Sequence, residues 1–273
     1  MNLLLFGTEI GENLYPVLEQ IKEIGYDGVE VPIFNTNPEY WFGFRKKLDE
    51  LGLERLAVTI NGPDHNFINA NPIHRKNALD RNALALDCAM ILGSEMLMGP
   101  FHSALGVFTG QKATLEEKEW ARENLWEMAE YADSLGITLG LEYLNRFESY
   151  LVSSADELLD LVNYVNHPAC KIMFDTFHAN IEEKSMPEAI RKIGDKLIHV
   201  QLSENDRGTL GQGHIQFEEI INALESINYK GVLSVEAFSE KLAAANIWRR
   251  MFESEEQLMK DSFVFLDKLT RKI

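Results

Sequence analysis

Residues 21–31 read IKEIGYDGVEV. An amphipathic run ends, a glycine turns the chain, and a short apolar segment follows. The same grammar returns as LDELGLERLAV at 48–58, ADSLGITLGLE at 132–142 and LESINYKGVLSVE at 224–236. In each copy a 3.6-residue periodicity gives way to an apolar run of strand length. Working outward from these copies gives eight strand candidates. They are LLLFG (3–7), GVEVP (28–32), RLAVT (55–59), SEMLMG (94–99), TLGLE (138–142), CKIMFD (170–175), IHVQL (198–202) and VLSVEA (232–237). Helical patterns lie at 14–24, 38–51, 72–91, 115–134, 155–165, 187–193, 217–226 and 254–270. Parallel strands need crossover helices, and eight such units predict an α/β fold, a closed (β/α)8 TIM barrel. No Pro/Gly/Ser linker divides residues 1–273, so one domain is expected. The alternative is an open doubly wound sheet, but no G-x-G-x-x-G follows the first candidate strand.

The chain of 273 residues is 45% hydrophobic, enough for a large core, and carries a net charge of −17. That charge opposes binding to phosphate backbones and to an anionic membrane surface. No apolar run approaches the roughly 20 residues of a membrane span. The first residues lack the basic segment of an export signal. Cys88 and Cys170 both sit in apolar stretches and suit a reducing compartment, so a cytoplasmic protein is expected.

A barrel of this type works at the carboxyl ends of its strands. Those ends are acidic here. Glu142, Asp175, Gln201 and Glu236 stand on four successive candidate strands and converge on one rim. Three carboxylates brought together would repel, and a divalent cation is the obvious compensation. Oxygen ligands suit Mn²⁺ first, with Mg²⁺ or a similar ion as alternatives. His199 and Gln201, two apart on one strand, share a face, so either one could meet the ion. Single residues carry less weight. A lone rim glutamate such as Glu30 is commonly solvated, and loop histidines such as His65 and His102 are often polar surface. Glu204 and Asp206 read as turn residues. Arg207, a cation beside an acidic site, is a natural clamp for a hydroxyl or carboxylate. The glycines of RGTLGQGH (207–214) make a phosphate nest conceivable. Arg207 is the one positive charge in that loop, against Glu204 and Asp206, which favours a neutral ligand.

The segments LEYLNRFE (141–148), FDTFHANIEE (174–183), HVQLSENDRGTLGQGH (199–214) and VEAF (235–238) resemble the sugar isomerase and epimerase superfamily of TIM barrels. Within it the chain looks most like the D-tagatose, D-psicose and L-ribulose (ketose) 3-epimerases. The resemblance implies a divalent metal, Mn²⁺, Mg²⁺ or Co²⁺, held by Glu142, Asp175, Glu236 and a strand residue at Gln201. It implies that Glu142 and Glu236 are also the acid–base pair. It assigns Glu148, His178 and Arg207 to the sugar, and implies a homodimer or homotetramer. Gln201 departs from the epimerases, which carry His there, and matches the hydroxypyruvate isomerase group instead.

The implied chemistry explains the pair. Removing a proton beside a ketone leaves an enediolate, and inverting C3 requires a base on each face of the sugar. An aldose–ketose or hydroxypyruvate-type isomerase would use the same intermediate. An AP-endonuclease-like hydrolase would need more histidines and a basic groove. A non-catalytic sugar-binding barrel would not need both Glu142 and Glu236.

Overall fold

The computed structural model describes residues 1–270. Seven parallel strands form one sheet in sequence order: β1 (Gly28–Pro32), β2 (Glu54–Val58), β3 (Met96–Gly99), β4 (Thr138–Leu141), β5 (Cys170–Asp175), β6 (Leu197–Leu202) and β7 (Val232–Val235). Between and after them run α1 (Tyr15–Ile24), α2 (Trp41–Leu51), α3 (Pro72–Leu92), α4 (Leu115–Ser134), α5 (Ala155–Val165), α6 (Thr176–Glu182), α7 (Met186–Ile193), α8 (Phe217–Ser226) and α9 (Glu255–Thr270). The helix starts follow local chemistry. Thr114 and Glu117 form a reciprocal capping box at α4, and Ser154 caps α5. Gly25 and Gly93 end α1 and α3 in the left-handed conformation that glycine tolerates best.

The barrel expectation holds, with one correction at its start. LLLFG is not a strand; Leu3–Phe6 is a 3-10 turn. Asn2 Oδ1 accepts from the Leu4 amide at 2.9 Å and caps that turn, so the chain coils where an unbroken apolar run suggested extension. Leu3 and Leu5 still reach the core, both fully buried. The pairing expected of the first strand falls to Met1 and Asn2. The Asn2 amide donates to the Val235 carbonyl at 2.9 Å, and the Glu30 amide donates to the Met1 carbonyl at 3.0 Å. Two residues thus close the gap between β7 and β1.

The residues of alternate register line the inside of the barrel. Val58, Met98 and Met173 form an apolar cluster there, backed by Leu56 and Met96. Glu30, His199 and Ser234 meet in the interior beside it. Two residues further along their strands come Asp175 after Met173, Gln201 after His199, and Glu236 after Ser234. The i, i+2 repeat therefore carries the inward face from a layer of Met173, His199 and Ser234 up to the rim of Asp175, Gln201 and Glu236. The larger apolar cluster lies between the strands and the helices.

Candidate active site

Glu142 follows β4, Asp175 ends β5, Gln201 lies in β6 opposite Asp175, and Glu236 follows β7. All four are buried. The Glu142 amide donates to the Gly99 carbonyl at 3.2 Å and the Glu236 amide to the Leu202 carbonyl at 3.0 Å, which extends the strand pairing through both glutamates. Asp175 has a second duty. Its Oδ1 caps α6 by accepting from the Phe177 amide at 2.9 Å. That fixes the rotamer and turns Oδ2 toward the barrel axis side chains His178 and Arg207.

Arg207 is the buried cation of this centre. Its Nη1 lies 2.8 Å from Asp175 Oδ2 and contacts Glu236 Oε2 directly. The Asp175 contact is close in distance but is not an aligned hydrogen bond, and Oδ2 remains without a donor. The guanidinium packs against the Phe177 and Phe238 rings, with centroids at 4.0 and 4.4 Å. Arg207 also sits at φ 60°, a left-handed conformation uncommon for a non-glycine residue. Burial alone would ease its proton off, but Asp175, Glu236, Glu148 and Glu142 outweigh burial and hold it more firmly charged.

Burial, with the Asp175 and Glu236 charges, pushes the Glu142 carboxyl well above its ordinary range. Burial also pushes Glu236 well above its ordinary range, Asp175 and Glu30 adding to the rise and Arg207 opposing it. Asn2 Nδ2 donates to Glu236 Oε1 at 2.6 Å. Asn2 carried no signal in the sequence, because its partner lies 234 residues away.

His178 is buried and poised over the carboxylates. Its Nε2 lies 3.5 Å from both Glu142 Oε1 and Asp175 Oδ2. Its Nδ1 accepts from the Asn145 backbone amide at 3.1 Å, and Asn145 Nδ2 lies 2.9 Å away. Burial holds the ring neutral, lowering its proton affinity to about 4. A neutral ring that accepts at Nδ1 carries its proton on Nε2. The 3.2 Å approach of Arg207 Nη2 to that atom is then a meeting of two donors. Asn145 also donates to Glu148 Oε1 at 2.8 Å, and Arg146 pairs with Glu182 across α6. The loop after β4 is therefore braced by Asn145 and Arg146, and Glu148 stands half-buried at its edge.

His102 differs from the polar-surface expectation. It is fully buried, and its Nε2 donates to the Glu142 backbone carbonyl at 2.9 Å, with Ser103 Oγ 3.0 Å from Nδ1. Burial lowers it to about 4. Glu30 also departs from a solvated rim residue. It is 1% exposed, contacts His199 Nε2, and accepts from Ser234 Oγ at 2.7 Å and Gln201 Nε2 at 2.9 Å. Burial pushes Glu30 up, but attraction to His199 and the hydrogen bonds from His199 and Ser234 outweigh it and hold the carboxyl below its ordinary range. His199 and Gln201 both meet Glu30: His199 Nε2 contacts it and leaves Nδ1 buried without a partner, while Gln201 Nε2 donates to it and leaves Oε1 buried without a partner.

Glu142, Asp175 and His178 bring one ligand atom each within 4.8 Å of one another, a group of the size a metal ion needs. The loop once conceivable as a phosphate nest is already filled. Glu204 accepts from the Gly211 amide at 2.9 Å and the Asn205 amide at 3.2 Å, and Asp206 accepts from the Gly208 amide at 2.9 Å. Carboxylates occupy the amides that a phosphate would use.

The model of the xylose isomerase-like TIM barrels matches residues 18–269. A D-psicose 3-epimerase of Ruminiclostridium cellulolyticum is 35% identical over 258 residues, covering 89% of this chain and 86% of that protein. A D-psicose 3-epimerase of Enterocloster bolteae is 31% identical over 257 residues, covering 90% and 85%. Among solved structures, an L-ribulose 3-epimerase superposes with a TM-score of 0.93 at 25% identity, covering 100% of this chain and 95% of that one. The chain belongs to the xylose isomerase-like TIM barrel family.

Proposed function

We propose that this chain is a metal-dependent ketose 3-epimerase acting on an unphosphorylated sugar. One observation carries the reading. Two buried glutamates, Glu142 and Glu236, stand directly after β4 and β7, and Asp175 and Gln201 occupy the two strands between them. A cation seat flanked by two proton-carrying groups is what inversion at a carbon beside a carbonyl requires.

The residues fit a divalent ion. Asp175 Oδ2 and Gln201 Oε1 are buried oxygens without donors, and the two glutamate carboxyls crowd Asp175. Glu142, Asp175, Gln201 and Glu236 would hold it. This all-oxygen set suits Mn²⁺, with Mg²⁺ or Co²⁺ as alternatives. His178 is the weaker candidate ligand despite its position. Its Nδ1 is already an acceptor, so Nε2 carries the proton and has no lone pair to give. Bound there, a divalent ion supplies positive charge beside the substrate oxygens that turn negative as the proton leaves.

The side chains do the rest. One glutamate removes the proton on C3 and the other returns a proton to the opposite face. His178 offers its Nε2–H to a sugar oxygen, and Arg207 and Glu148 hold neighbouring hydroxyls. The filled loop after β6 and the net charge of −17 favour a free sugar over a phosphate. The two buried thiols suit a cytoplasmic protein, and a homodimer or homotetramer is the expected assembly.

The test is product analysis. Metal-stripped protein is reloaded with Mn²⁺ and incubated with free D-psicose, L-ribulose and D-tagatose, and with their phosphates. Interconversion of C3 epimers of a free ketose, lost with EDTA, is expected. Formation of an aldose alone would move the assignment to an isomerase, and turnover of phosphates alone would overturn the choice of substrate.

A further inference from the structure

Glutamine is an ambiguous ligand. Rotating its terminal amide by half a turn exchanges an oxygen, which can bind a cation, for an NH₂, which cannot. Something must decide which end faces the site. In this chain Gln201 is 3% exposed, so water does not decide it. Its Nε2 donates to Glu30 Oε2 at 2.9 Å, and its Oε1 has no partner. A reversed amide would set Oε1 against Glu30 Oε2, two acceptors face to face in a buried place. Glu30 is itself fixed. Its other oxygen accepts from Ser234 Oγ at 2.7 Å and contacts His199 Nε2, on β7 and β6 respectively. Two strands, β6 and β7, thus hold the carboxylate that β1 carries, and that carboxylate holds one amide.

We propose that Glu30 is a positioning residue that locks the Gln201 amide with its oxygen presented to the divalent cation. This rests on the metal-dependent reading given above. Glu30 lies one layer below the metal seat and touches the ion's ligand rather than the ion. The arrangement also accounts for glutamine on β6: a neutral oxygen ligand becomes as directional as an imidazole once a buried acceptor anchors its NH₂. Replacing Glu30 by glutamine places a second NH₂ in the cluster. The Gln201 amide then gains by turning its oxygen inward, toward the new donor, and its nitrogen outward, toward the cation.

The experiment is a double-mutant cycle on metal affinity, read by titration calorimetry of Mn²⁺ into metal-stripped protein. Glu30→Gln should weaken Mn²⁺ binding by about 10–100-fold, the usual scale for losing a ligand's outer partner. Gln201→Ala should weaken it to a similar degree. The double variant should bind within about twofold of Gln201→Ala, because Glu30 acts only through that side chain. Glu30→Gln binding as tightly as the parent overturns the proposal, and so does a double variant showing the product of the two losses. Glu30→Asp keeps the acceptor but withdraws it by one methylene, and it carries the test if Glu30→Gln fails to fold. It should weaken binding in the parent and have no effect in the Gln201→Ala background; an equal loss in both overturns the proposal. Mn²⁺ binding by the parent with no response to Glu30 defeats this inference alone, whereas a parent that binds no divalent ion defeats the metal-dependent reading as well.

Discussion

Asn2 Nδ2 donates to Glu236 Oε1 at 2.6 Å, joining the residue that closes the barrel to a glutamate at its functional rim. Arg207 meets the other oxygen of the same carboxylate. Glu236 is therefore held at both ends. Glu142 is held less tightly, with His178 Nε2 at 3.5 Å, outside hydrogen-bond range. Replacing Asn2 by Ala frees one Glu236 oxygen to rotate. Small misplacements of a reacting group are costly, so kcat should fall by about 10–100-fold with a smaller change in KM. Steady-state kinetics on a folded variant checks this; an unchanged kcat would show that the Asn2 side chain serves only to cap the 3-10 turn.

Arg207 balances the buried charges of Asp175 and Glu236. Arg207→Met removes that balance and leaves the carboxylates facing one another. Breaking a buried pair in this way costs on the order of 3–5 kcal/mol, and denaturant unfolding of the metal-free protein should show a loss of that size. Saturating Mn²⁺ binds the folded state and should return part of the stability. A variant as stable as the parent without metal would contradict the role given to the guanidinium.

His102 makes a pH signature. Burial lowers it from 6.5 to about 4, so the folded protein keeps it neutral where the unfolded chain takes up a proton. Its contribution is fully present above pH 6.5 and is lost as pH falls toward 4, because the unfolded state then binds more protons. His102→Gln lacks this term. The Tm gap between parent and variant should be widest near pH 7 and narrow between pH 6.5 and 4. A gap independent of pH would mean that His102 is not held neutral.

Gly99 tests the architecture behind Glu142. Its φ is 125°, and a Cβ built there would lie 2.2 Å from the Thr59 carbonyl oxygen on the neighbouring strand segment. That oxygen belongs to backbone and cannot step aside. The Gly99 carbonyl also receives the Glu142 amide. Gly99→Ala should cost more than about 2 kcal/mol and lower kcat together with stability. Calorimetry and kinetics on the same preparation check both.

The parts of this molecule written in local periodicity were legible in the sequence. The eight long helical patterns and the strands from GVEVP onward read correctly because amphipathic runs and apolar segments alternate cleanly. LLLFG misled because hydrophobicity alone cannot distinguish a strand from a 3-10 turn whose leucines are both buried. What decided it was the Asn2 side chain capping the turn. The short helix α6 was hidden because residues 176–182 read as a site motif following Asp175, with no room for a periodic pattern. The carboxylates at the strand ends were visible as a series on successive strands. Glu30 and His102 were not, because their partners, Gln201 and His199 for Glu30 and the Glu142 carbonyl for His102, lie on or directly after other strands, far away in sequence. Burial converts such residues from ordinary polar positions into parts of the site, and burial of a single polar residue leaves no trace in spacing.

The central claim is that Glu142 and Glu236 exchange protons with one carbon of a ketose from opposite faces. Solvent deuterium incorporation at C3 measures it most directly, using Mn²⁺-loaded parent, Glu142→Gln and Glu236→Gln in D₂O with a free ketose, read by NMR. The parent should wash deuterium into C3 of both epimers, each variant should lose conversion between the epimers by at least about 100-fold, and EDTA should abolish exchange in the parent. Epimerisation persisting in either variant, or deuterium appearing at C1 and not at C3, would contradict the two-glutamate account.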